Sequence, residues 1–102
     1  MNQLFRIVVP NTNPMSLFSA FELVTLREYI DYNGGTYLDE VNTSAQYLDN
    51  TDAYDEPFYR LYGVYKNTSP TSRKHISDFF NINSGIELLH DLTGREIDIK
   101  GY

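Results

Sequence analysis

The sequence predicts a small α+β domain: a mostly antiparallel sheet of 4–5 strands with two helices packed on one face. Three observations carry that expectation. Several short runs rich in β-branched and aromatic residues are bounded by Pro, Gly and Asn. Two longer apolar segments are spaced like amphipathic helices. The whole chain is 102 residues with no break in composition, so one domain over 1–102 is expected.

The elements follow in order. Gln3 to Val9 ends at Pro10 and reads as a strand. Asn11-Thr12-Asn13-Pro14 is a turn, with Asn13 placed as a helix N-cap and Pro14 at the first helical position. A helix is then expected over 14–32. Leu17, Phe21 and Val24 mark one face of it and Leu23, Leu26 and Ile30 a second, with Asn33-Gly34-Gly35 as its stop. So wide an apolar stripe calls for burial on two sides, either within the core or, in a homodimer through helix 14–32, against a second copy.

Thr36 to Val41 reads as a short strand. Residues 42–56 show neither helical nor strand period and are expected to form a long acidic loop. Phe58 to Lys66 is the clearest strand, with aromatics on both faces. Lys74 to Phe80 fits a helical face and also a strand returning from 58–66; the strand is preferred. Ser84 and Glu87 have capping-box spacing and open a helix carrying Ile86, Leu88, Leu89 and Leu92 that stops at Gly94. Glu96 to Ile99 alternates like a closing strand.

Composition narrows the function. There is no cysteine, which removes disulfides, thiolate metal sites and a cysteine nucleophile. Only His75 and His90 could supply imidazole, and neither has a partner at ligand spacing. Counted as an EF-hand loop from Asp49, the fifth and sixth places hold Ala53 and Tyr54, where an oxygen ligand and glycine are needed. No catalytic residue, metal site or cofactor is therefore expected. The first ten residues contain Arg6 within a short apolar run, so neither a signal peptide nor a membrane span is expected there, and the setting is expected to be cytoplasmic.

What stands out is where the charge lies. Net charge is −6, yet from Glu28 to Tyr59 there are eight acids (Glu28, Asp31, Asp39, Glu40, Asp49, Asp52, Asp55, Glu56) and no Lys or Arg. The stretches before and after it are each slightly basic. Eight of the nine tyrosines fall between Tyr29 and Tyr65. Tyrosine supplies a large stiff contact with a polar tip, and carboxylates steer encounter with basic surfaces. Asp39, Glu40, Tyr47, Asp49, Asp52, Tyr54, Asp55, Glu56 and Tyr59 are the expected partner-binding residues.

The partner that fits is a protein with a basic nucleic-acid-binding surface, since grooves for phosphate backbones are lined with Lys and Arg. Direct nucleic-acid binding is not expected, because Arg60, Lys66, Arg73 and Lys74 are the only basic grouping. Few alanines (Ala20, Ala45, Ala53) beside many Asn, Tyr and Ile suggest an AT-rich coding genome. In general character the chain is similar to small acidic bacteriophage proteins such as anti-CRISPR and anti-restriction inhibitors, although no shared motif carries that likeness. The expected function is thus an inhibitor that blocks a nucleic-acid-handling host protein. Two alternatives stay open: a regulatory or adaptor subunit, and a small hydrolase or nuclease.

Overall fold

The β-branched run before Pro10 forms the first strand, β1 (Arg6–Pro10). A turn follows in which Asn13 Oδ1 accepts from the Met15 amide and the Asn13 carbonyl from the Ser16 amide. The chain then returns antiparallel as β2 (Phe18–Ile30), a strand of 13 residues. The remaining elements are β3 (Thr36–Glu40), α1 (Ser44–Asp49), β4 (Phe58–Tyr65), β5 (Arg73–Phe79) and α2 (Ile82–Thr93). The computed structural model describes residues 5–49, 53, 55–67 and 72–94. The strand expected at Glu96 to Ile99 lies outside them.

The helix expected over 14–32 is instead β2, the central strand of a five-stranded sheet ordered β1-β2-β4-β5, with β3 also on β2. The physical reason is burial on both faces. A central strand covered on two sides loses the polar alternation that marks half-buried strands. Here Phe21, Leu23 and Thr25 are buried on one face and Val24 and Leu26 on the other. The homodimer expectation loses its helix with this correction. Asn33-Gly34-Gly35 belongs to a hairpin turn. Gly34 takes a φ of 84°, and Asp31 Oδ1 accepts from the Asn33 and Gly35 amides.

One further departure concerns 42–56. Part of the expected loop is α1, whose Thr43 hydroxyl accepts from the Gln46 amide while Gln46 Oε1 accepts from the Asn42 amide. The start of α2 also moves. Its N-cap is Asn81, which accepts from the Asn83 amide, so Ser84 and Glu87 lie inside the helix. Its stop at Gly94 is as expected, with φ 66° and the amide bonded to the His90 carbonyl. β3, β4 and β5 fall where the sequence places them.

β1 and β3 share one edge of β2. β1 pairs with its first half (Pro10↔Ala20 to Arg6↔Val24) and β3 with its second (Leu26↔Glu40 to Ile30↔Thr36). Thr25 lies at the seam, donating to the Phe5 carbonyl and accepting from the Val41 amide. On the opposite edge β4 pairs with Phe18–Leu26, and Ala53 bridges Tyr29 beyond it. β2 therefore runs the length of a molecule about 45 Å long, at roughly 3.3 Å per residue.

α2 covers one face near the β1 end, where Val9, Phe21, Leu23, Tyr59, Leu61 and Leu89 form the core cluster. Gly85 lets the helix approach closely, because a Cβ there would stand 2.9 Å from a Leu23 methyl. Arg27 shares this face by alternation and bonds to α1, so both helices lie on it. The other face carries the long side chains of Arg6 and Arg60, the cross-strand neighbours of buried Val24.

Candidate functional site: an acidic end and an ion-paired sheet face

The topology sorts the charges into two regions. On the open sheet face, acids and bases match. Arg6 Nη2 lies 2.8 Å from Glu40 Oε1 and 3.6 Å from Glu22, and Arg73 Nη1 lies 3.1 Å from Glu22 and 3.5 Å from Glu40. The Arg73 guanidinium sits 4.2 Å from the centre of the Tyr62 ring. Next to this group Arg60 donates two hydrogen bonds to Asp78, at 2.8 and 3.2 Å, and His75 Nε2 lies 2.8 Å from the same carboxylate.

Arg60's hydrogen bonds hold the Asp78 carboxyl below the ordinary aspartate range, against the opposing effect of partial burial and with help from His75. A carboxyl lowered in the folded state adds stability that is fully present above the unfolded value and fades as pH falls through the folded one. Asp78 is 41% exposed, so solvent screening keeps the contribution to about 0.5–1 kcal/mol. Asp78→Asn is expected to lower the urea midpoint at pH 6 and to converge on the parent as pH falls through the lowered folded-state value of Asp78. A gap that stays constant across that range would mean the ion pair adds nothing.

The acidic end is different. β3 and the Ala53 bridge place residues 28–49, 53 and 55–57 around the second half of β2. Among the described residues, no ion pair involves Glu28, Asp31, Asp39, Asp55 or Glu56. Arg27, the cation nearest in sequence, turns to backbone instead: its Nη1 donates to the carbonyls of Gln46 and Tyr47 at 2.6 and 2.8 Å and its Nε to that of Asp55 at 3.1 Å. Among the described residues, these five carboxylates thus have no ion-pair partner.

The expected contact residues divide accordingly. Asp39, Asp55 and Glu56 are exposed at the acidic end. Glu40 is on the same strand but is neutralised by Arg6 and Arg73. Tyr47 is half-buried on α1 with its ring 6.0 Å from that of Phe5. Tyr59 is buried in the core cluster, which removes it from the contact surface; its register opposite Thr25 turns it under the helices. Asp49 closes α1, and Asp52 and Tyr54 lie outside the described residues.

Sequence reasoning missed the apolar groups at this end. Tyr32 at the hairpin tip is 97% exposed, and Ile30, Tyr37 and Leu38 are each nearly half exposed. Ile30 and Leu38 share the open face by alternation, with Glu28 directly across from Leu38 and two residues before Ile30 on β2. Read as a helix, Ile30 belonged to a buried stripe; only the strand assignment turns it outward.

An open cleft of about 510 Å³ lies at the other end, with Phe18, Phe21, Ile76 and Leu92 among its lining. Asn11, Asn13 and Ser16 at its rim already use side-chain oxygens to hold the β1–β2 turn. Among the described residues no three His, Asp or Glu side chains gather to hold a metal ion, and no helix is long and apolar enough to cross a membrane. Comparison with models of known families, with curated proteins and with solved structures finds no match for this chain.

Proposed function

We propose that this chain is an acidic protein-binding domain that inhibits a nucleic-acid-handling protein, as small bacteriophage inhibitors do, by presenting its acidic end to the partner's basic surface. The observation that carries the reading is the segregation of charge. Among the described residues, five carboxylates with no ion-pair partner sit around one end of β2, while the remaining acids of the sheet face are matched by arginines. Unmatched carboxylates attract cationic grooves, and exposed Tyr32, Ile30 and Leu38 supply apolar anchors between them.

The test begins with capture on the immobilised domain, identification of what binds, and titration of that protein at several salt concentrations. Affinity is expected to fall with salt, and duplex or single-stranded nucleic acid should compete. Replacing Glu28, Asp39, Asp55 and Glu56 together with their amides is expected to weaken binding by about 30-fold or more, mainly through slower association. Capture that ignores salt, nucleic acid and these four changes would instead favour an adaptor subunit.

A further inference from the structure

A second surface feature lies beside the acidic end. Phe80, just after β5, is 95% exposed. With Phe58 and Phe79 it lines an open groove of about 230 Å³, bounded by Asp55 and Asp78. Three phenylalanines at one opening, one of them almost wholly in water, mark a surface shaped for contact. Phe79 packs on the core cluster, so the floor of the groove is anchored.

The two carboxylates are not equivalent. Asp78 is already matched by Arg60 and His75. Asp55 Oδ1 accepts only the amide of Glu56, and among the described residues no cation reaches it. An apolar side chain seated here would strip water from that carboxylate without replacing it, whereas a cation would satisfy it.

The molecule holds one guanidinium in just this manner. Arg60 stands 5.6 Å from the centre of the Phe58 ring while its Nε and Nη2 donate to Asp78. We propose that the groove receives an arginine side chain from the basic partner, its guanidinium toward Asp55 and its stem against Phe58 and Phe80. Arginine suits the site better than lysine, being planar, weakly hydrated and able to stack on rings. Among the described residues, Arg6, Arg27, Arg60 and Arg73 all have carboxylate or carbonyl partners of their own, so none of these four is free to be donated by a second copy. This inference rests on the proposed function and specifies one contact within it.

The test needs no partner protein. The ¹⁵N-labelled domain is titrated with acetyl-Gly-Arg-Gly-amide and, separately, with acetyl-Gly-Lys-Gly-amide. Amide shifts are expected to concentrate at Phe58, Phe79 and Phe80, with the arginine peptide binding more tightly. Phe80→Ala and Asp55→Asn should each weaken it by about threefold or more. Phe80 is so exposed that its loss leaves the fold intact. No binding, shifts confined to residues 28–40, equal affinity for lysine, or indifference to Phe80→Ala would each overturn the proposal. Any of these would leave the acidic-end reading standing, because that is judged by partner capture and the four amide changes.

Discussion

Leu61→Ala is expected to remove about 3 kcal/mol of stability, a large share of the 5–15 kcal/mol typical of a domain this size. Leu61 is wholly buried, faces Leu23 across the β2–β4 pair and shares its cluster with Leu89 beneath α2. Truncation removes its apolar burial and leaves a void between a sheet and a helix held apart by other side chains, so collapse is incomplete. In urea the midpoint should fall by roughly 2 M with little change in slope, taking a slope near 1.5 kcal/mol/M. Leu48→Ala, at a position 65% exposed on α1, is the matching control and should shift stability by no more than about 0.5 kcal/mol. Comparable effects from the two changes would mean that the core is not where the structure puts it.

Arg27→Met is expected to loosen the acidic end while sparing the core. α1 has six residues, too few to persist alone in water. Arg27 ties its last turn and the segment at Asp55 to β2 through three carbonyls, two from one nitrogen and one from another. Methionine keeps most of the apolar stem and deletes every donor. A charged hydrogen-bond donor contributes more than a neutral one, and the freed carbonyls recover part of the loss from water, leaving about 2 kcal/mol of local destabilisation. Hydrogen exchange at the Tyr47 amide, bonded to the Thr43 carbonyl, should accelerate about 30-fold, while amides of β4 stay protected. Arg27→Lys should restore little, because one ammonium cannot reproduce the two-nitrogen fork. Unchanged exchange at Tyr47 would show that the Phe5 ring contact alone holds α1.

Much of the sheet was legible in advance, and its central strand was not. Phe58–Tyr65 alternates aromatic and aliphatic groups between turn residues, and such a run has few alternatives. In β2, apolar residues on both faces reproduce helical spacing by coincidence. Leu17, Phe21 and Val24 lie four and three apart, yet Leu17 precedes the strand and is 73% exposed. The β-branched and aromatic content of Phe18–Ile30 was the available counter-signal. The signal for α1 was also present, as Thr43 and Gln46 at capping-box spacing, masked by the acids that follow.

For the candidate site, the charge map was readable from the sequence and its neutralisation was not. Glu40 and Arg6 are 34 residues apart, and nothing local announces that they meet. They do so because β1 and β3 lie end to end along one edge of β2. Likewise Tyr59 and Tyr32 look alike in a list of tyrosines. Strand register hides the first, and a hairpin tip displays the second.

The seam at Thr25 divides labour along the chain. Among the described residues, the cluster beneath α2, with the side chains packed on it, draws only on residues 7–23, 59–61, 76–79 and 82–89. None of it comes from the stretch that builds the acidic end. Substitutions at the exposed positions of the tip can therefore change its charge and shape without touching that cluster.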